Sequence, residues 1–269
     1  MKRFFYLSLT ILFCFSFVVS IPKTYSTVSA NNEKPKLCII IDDFGSFDQS
    51  GVETMLSIDA PITCAVMPNV DNTTLNIKQI QNANKEVILH MPMEADVFLP
   101  KHWYGIDYIS NCESKDNIYK KLNNAFSSVN NAKGFNIHIG SGVCQNKDII
   151  NHIYNYATEH NLFFIDSRTH INTICDKVAN EKNIVYLGRD EFLEPDGDRS
   201  YDGVKRHLLI GANLAKEKGY AIVIGHVGVH GGENTANAIK DTVSHIKNLG
   251  IDIVFASELN DFLQNKSTT

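Results

Sequence analysis

Five short apolar runs in this sequence end in side chains that bind cations or move protons. Leu37 to Ile41 ends in Asp42-Asp43, and Glu86 to Leu89 ends in His90-Met91-Pro92-Met93-Glu94. Gly134 to Ile137 is followed by His138, Leu162 to Ile165 by Asp166-Ser167-Arg168, and Ala221 to Ile224 by Gly225-His226. Two adjacent carboxylates repel each other and lose solvation near a core, so the first pair calls for a positive charge close by. A metal ion supplies one, and carboxylate plus imidazole ligands suit zinc and related divalent ions. Such an ion makes its water acidic and polarises a substrate carbonyl. A carboxylate outside the ligand set could then take a proton, and a histidine on the far side could donate one to a leaving group. This is the equipment of a metal-assisted hydrolase of amides or esters.

The elements that must position these residues follow from the pattern between them. Runs of strand length alternate with stretches of helical periodicity, including Ser114 as the cap of a helix carrying Ile118, Leu122 and Ala125, and Asp71 as the cap of another through Leu75 and Ile80. Eight strands are expected, the last three over Ile184–Leu187, Ala221–Ile224 and Ile251–Phe255. That alternation suits right-handed crossovers in a parallel sheet with helices outside. The expected fold is α/β, a single-domain (β/α) barrel of seven to eight mostly parallel strands, because no Gly-rich phosphate turn marks a nucleotide-binding sheet. In such a fold the C-terminal strand ends converge on one face, so all the residues named above share it. The stretch from Ala95 to Glu113 has no periodicity and is expected as a long functional connection holding Trp103, Tyr104 and Tyr108.

Composition narrows the class. With 43% apolar and 20% charged residues the chain is globular in type, and a net charge of −5 leaves no basic footprint for nucleic acid. Lys2 and Arg3 precede an apolar stretch from Phe4 to Ile21, and Val28-Ser29-Ala30 is a small-x-small cleavage pattern. Residues 1–30 are therefore expected as a signal peptide and 31–269 as the barrel domain, exported to the cell envelope or beyond it. The membrane is met only through the leader, should that stay uncleaved. Cys14 falls in the leader, and the five remaining cysteines are odd in number and lack a CxxC pair, so neither a disulfide framework nor a zinc ribbon is indicated.

The chain resembles the polysaccharide deacetylases, and within them a divergent branch of exported bacterial proteins. The resemblance runs from about Lys36 to Leu263 and rests on Ile40-Ile41-Asp42-Asp43-Phe44-Gly45, Leu89 to Glu94, His138-Ile139-Gly140-Ser141, Phe164 to Thr169 and Ile224-Gly225-His226. It implies a distorted (β/α) barrel that removes acetyl groups from N-acetylated glycans with a divalent metal, most simply zinc. It also implies Asp42 as the catalytic base, Asp43 as a metal ligand and His90 as the first histidine of an HxxxH motif whose second place is Glu94 here. Asp43, His90 and His138 are the favoured ligand set, because two imidazoles and one carboxylate restore the family's ligand chemistry, and Glu94 is the alternative ligand. By the same resemblance Asp166 and Arg168 orient the base and His226 is the general acid. Trp103 and Tyr104 are candidates for a sugar platform, since amphipathic rings suit the apolar face of a sugar.

Each residue also has a plainer reading. Asp42 alone reads as a helix cap, Asp43 as a surface ion-pair partner, His90 as a strand-end residue bonded to backbone, and His138, before Gly140, as a turn residue. His226 competes with His230, in the loop Gly228 to Gly232. Two other functions fit the same pattern: a glycan-binding protein that has lost its chemistry, and a metallohydrolase of another ester or phosphoester.

Overall fold

The computed structural model describes residues 33–195 and 198–267. The expected leader, with Cys14, and the turn residues Asp196 and Gly197 lie outside the described residues. In chain order the elements are β1 (Lys36–Phe44), α1 (Val52–Leu56), β2 (Thr63–Val66), α2 (Thr73–Asn82), β3 (Glu86–Met93) and α3 (Lys101–Tyr104). They continue with α4 (Lys115–Ser128), β4 (Gly134–Ile139), a single turn of 3-10 helix at Val143–Gln145, α5 (Lys147–Glu159), β5 (Phe163–Asp166), α6 (Cys175–Glu181) and β6 (Leu187–Gly188). The last elements are β7 (Glu191–Phe192), α7 (Tyr201–Lys218), β8 (Tyr220–His226), α8 (Gly232–Asn248), β9 (Asp252–Val254) and α9 (Ala256–Ser267).

All strand pairs are parallel, in the order β6-β5-β4-β3-β2-β1-β8-β7, with β9 added alongside β1. The sheet curls until its two edge strands, β6 and β7, are consecutive in the chain. Only Arg189 and Asp190 separate them, and their amides donate to Asp166 O and Ile222 O on the two sides of the seam. This is the distorted barrel expected from the sequence, but the strand expected over Ile184–Leu187 starts only at Leu187, and a further short strand, β7, follows it.

A strand sends alternate side chains to opposite faces, and β1 is apolar on both because both are covered. Leu37, Ile39 and Ile41 face the helical layer, in one cluster with Met55, Ile80, Leu122 and Ile239. Cys38 and Ile40 face the barrel interior with Ala65, Ile88, Ile165, Leu187, Ile222 and Ile224. The inner cluster also takes in Ala256 and Leu259 of α9, with Phe262 and Leu263 packed against it. Each such aliphatic side chain contributes roughly 1.5–3 kcal/mol by leaving water.

Local signals work where expected, with exceptions. Ser114 Oγ accepts from Asn117 N at the start of α4, and Asn146 and Ser200 cap α5 and α7 in the same way. Asp71 is not a cap: Asn72 takes that position in α2, and its side chain makes no capping bond. The segments α6 and α9 are helices that the sequence pattern left unassigned. Among the described residues no helix is long and apolar enough to cross a membrane.

Candidate metal centre

The inward-facing register of the barrel, followed past its apolar residues, arrives at the chemistry. Cys38 and Ile40 lead to Asp42 on β1, Ile88 to His90 on β3, and Ile222 and Ile224 to His226 on β8. On β4 the inward residues are Asn136 and His138. Across the pairs, Asp42 is opposite His226 and His90 is opposite Asn136. Asp42, Asp43, His90 and Asn136 are buried, and His138 and His226 are partly buried at the opening.

Asp43 should face away from Asp42 in a regular strand, yet both reach the same opening. The backbone explains this: Asp43 has φ 68°, and the β1–β2 register shifts between Ile41 and Phe44. A left-handed residue with a bulge reverses the alternation, at a cost of about 1–3 kcal/mol that Asp tolerates better than most residues. Gly45 follows at φ 91°, where a side chain would be strained. Past His138, Ile139 is also left-handed at φ 61°. For a β-branched residue this is an outlier, and such strain gathers at functional sites.

Three donor atoms meet here. Asp43 Oδ1 lies 3.4 Å from His90 Nε2 and 3.3 Å from His138 Nδ1. The two imidazole nitrogens are 3.1 Å apart. Zinc with four ligands at ordinary bond lengths holds them about 3.3 Å apart, so this triangle has the dimensions of one face of a coordination shell. Asp43 Oδ1 is buried and has no hydrogen-bond partner among the described residues. The other ring nitrogens are already engaged, His90 Nδ1 with Asn136 Oδ1 at 2.7 Å and His138 Nε2 with the Trp103 carbonyl at 3.0 Å. Both imidazoles thus turn their remaining nitrogen toward the orphaned oxygen, and the donor set fits a divalent cation. Burial would raise the Asp43 carboxyl, but the two imidazoles hold it well below the usual carboxylate range. Burial pulls His90 down, and the Asp42 and Asp43 carboxylates more than offset this, so its pKa is raised. The pocket demands positive charge, as imidazolium protons or as a metal ion.

Asp42 stands outside the triangle. Its Oδ1 accepts from Asn136 Nδ2 at 2.7 Å and lies 3.7 Å from His90 Nδ1. Burial raises its pKa, against the opposing pull of His90, His226 and Asn136. On the next strand, His226 Nδ1 meets Glu194 Oε2 at 3.0 Å, while Glu194 Oε1 accepts from the His226 amide and from Thr235 Oγ1. Burial lowers the His226 pKa, but the Glu194 bond and charge, with Asp43 and Asp42 beyond, push it up to about 9. His230 packs obliquely at 5.5 Å between ring centroids, its own pKa lowered by burial and by His226.

The remaining sequence candidates lie elsewhere in the hydrogen-bond network. Asp166 is buried, but Phe163 and Ile165 are the inward residues of β5, so it belongs to the opposite face. Its carboxylate accepts from Arg168 N, Thr173 Oγ1 and Tyr186 OH. The Arg168 guanidinium bonds Tyr186 OH and the Arg189 carbonyl at the seam. Both residues brace the seam, and the donor to Asp42 is Asn136. Glu94 falls outside the triad, and its Oε2 accepts from Asn111 N at 2.6 Å, closing the base of the long β3–α4 connection. In that connection Trp103 is exposed, whereas Tyr104 is buried, stacks on Tyr108 and offers no surface ring. Asn136 and Glu194 are the site residues that the strand-end pattern passed over. A polar residue within an apolar strand was the available signal for Asn136, and Glu194 carried none beyond its turn.

A family model described as divergent polysaccharide deacetylase matches residues 39–260. The chain is 26% identical over 212 residues to an uncharacterized protein of Haemophilus influenzae, covering 78% of this chain and 72% of that one. A crystal structure of an uncharacterized Agrobacterium tumefaciens protein superposes with a TM-score of 0.74 at 18% identity, covering 86% of this chain and 91% of that one. The catalytic domain of a peptidoglycan N-acetylglucosamine deacetylase from Eubacterium rectale gives 0.52 at 14% identity, with 84% and 90% covered. A family 4 carbohydrate esterase pseudoenzyme from Bacillus anthracis gives 0.51 at 15% identity, with 84% and 65% covered. The same barrel therefore carries active and inactive members.

Proposed function

The chain belongs to the divergent polysaccharide deacetylases, and from that premise we propose that it hydrolyses the acetamido groups of an N-acetylated cell-envelope glycan in a metal-dependent reaction. Asp43, His90 and His138 would hold the ion, which zinc suits best on ligand chemistry. When bound, the ion supplies Lewis acidity toward the amide carbonyl and toward water.

The protein's own residues divide the proton transfers. Asp42 takes a proton from the water whose oxygen bonds to the carbonyl carbon. It can do so because its carboxylate is outside the ligand triangle and, among the described residues, accepts a hydrogen bond from the Asn136 amide alone. His226, in register with Asp42 on the neighbouring strand, gives a proton to the sugar nitrogen as the C–N bond breaks. The products are acetate and a free amino sugar. Glu194 keeps His226 charged and fixes which ring nitrogen faces the opening. The exposed rings of Phe98 and Trp103, from the β3–α4 connection, supply apolar surface against which sugar faces pack. An envelope glycan substrate accords with the export leader expected over residues 1–30.

The observation that carries this reading is the buried Asp43–His90–His138 triangle with a free carboxylate on one side and a charged histidine on the other. The test is acetate release from acetylated chitooligosaccharides and peptidoglycan fragments by the zinc-loaded protein. Turnover that Asp42→Asn abolishes supports the proposal. Stoichiometric metal with no acetate released from either substrate contradicts it, and favours a glycan-binding role or hydrolysis of another ester on the same barrel.

A further inference from the structure

We propose that Asn136 is a positioning residue that sets the metal-facing nitrogen of His90 and keeps the base Asp42 apart from that imidazole. The inference rests on the function proposed above and assigns a role to a residue outside the ligand set and the acid–base pair. Asn136 is fully buried in the middle of β4, and its amide spans the two machines of the site. Nδ2 is 2.7 Å from Asp42 Oδ1, and Oδ1 is 2.7 Å from His90 Nδ1.

With a cation in the triangle and Asp42 ionised, the amide and the imidazole can bond in one arrangement. An ionised Asp42 can only accept, so the amide must turn its NH2 group toward it. That leaves the amide oxygen for His90, whose Nδ1 must donate. The lone pair of His90 is thereby assigned to Nε2, the nitrogen that faces Asp43. In His138 the assignment is reversed, because Nε2 donates to the Trp103 carbonyl and Nδ1 is the nitrogen in the triangle.

Asn136 does a second thing. His90 Nδ1 and Asp42 Oδ1 are 3.7 Å apart, close enough to pair directly if the amide did not satisfy both. A direct pair would tie the base to a ligand imidazole and make it a poorer proton acceptor. The neutral amide satisfies each partner separately, and groups of this kind around a metal site tune ligand affinity by about 10–100-fold.

The test compares wild-type protein with Asn136→Ala and with Asn136→Leu, which keeps most of the volume. Zinc affinity is measured by chelator competition, kcat and KM on acetylated chitooligosaccharide, and stability by thermal unfolding. Long-range proton–nitrogen NMR of the zinc-loaded wild type assigns the imidazole protons without any substitution. The proposal expects the His90 proton on Nδ1 and the His138 proton on Nε2. It expects zinc affinity to fall about 10–100-fold in both variants, and kcat to fall with little change in KM, whatever the order of their melting temperatures. A His90 proton found on Nε2, or zinc affinity and kcat that merely track stability, would overturn it. Wild-type protein that binds no zinc would sink the proposed function itself, whereas tight zinc binding by wild type and both variants alike would sink only the role of Asn136.

Discussion

Asp42 and His226 face each other in register across β1 and β8, so the base and the acid of the proposed reaction are held by one strand pair. Their separation is set by sheet geometry and not by loops. The metal triangle is built on the C-terminal parts of three strands of the same barrel, and its His138 corner is also held from the β3–α4 connection, through the carbonyl of Trp103 in α3. Rigid elements of this kind place catalytic groups more accurately than loops do.

The Glu194–His226 pair predicts a pH signature. In metal-free protein the His226 imidazole should titrate at about 9, and in Glu194→Gln it should fall toward or below its ordinary value near 6.5. A folded pKa above the unfolded one stabilises the fold below the unfolded value, and that stability is lost as pH rises through the folded value. The contribution of His226 is therefore complete below about pH 6.5 and lost as pH passes about 9. NMR titration of the histidines in the two proteins checks the shift.

Asp166 should matter for stability before chemistry. Removing its carboxylate in Asp166→Ala leaves the Tyr186 and Thr173 hydroxyls and the Arg168 amide without their acceptor. The expected loss is about 3 kcal/mol, measured by denaturant unfolding, with zinc stoichiometry unchanged in protein that remains folded.

Glu94 and His138 separate the two ligand sets that the sequence left open. Glu94→Gln should retain zinc and loosen the β3–α4 connection at Asn111, for which a loss of about 1 kcal/mol is expected. His138→Ala should lose most of its zinc affinity. Dialysis against zinc followed by metal analysis of each variant decides between them.

Most of the barrel was readable because its strands are buried on both faces and its helices are amphipathic, two patterns that survive in sequence. The short strands β6 and β7 were harder to read, since strands of two residues each carry no period. At the site, strand ends were a good guide where parity agreed, as for Asp42, His90, His138 and His226. Parity also explains Asp166, which sits at a strand end but on the face opposite the barrel interior. Asp43 runs the other way: regular alternation would send it away from Asp42, and only its left-handed backbone brings it back. Asn136 and Glu194 act through partners distant in sequence, and such pairings have no local signature.

Every step of the proposed reaction requires Asp43, His90 and His138 to hold a cation, and equilibrium dialysis of the purified protein against zinc measures that directly. One tightly held ion per wild-type chain, lost in Asp43→Ala and in His138→Ala but kept in Glu94→Gln, is the predicted result. A wild-type chain that takes up no zinc, or an Asp43→Ala chain that binds it as tightly as wild type, would contradict the account.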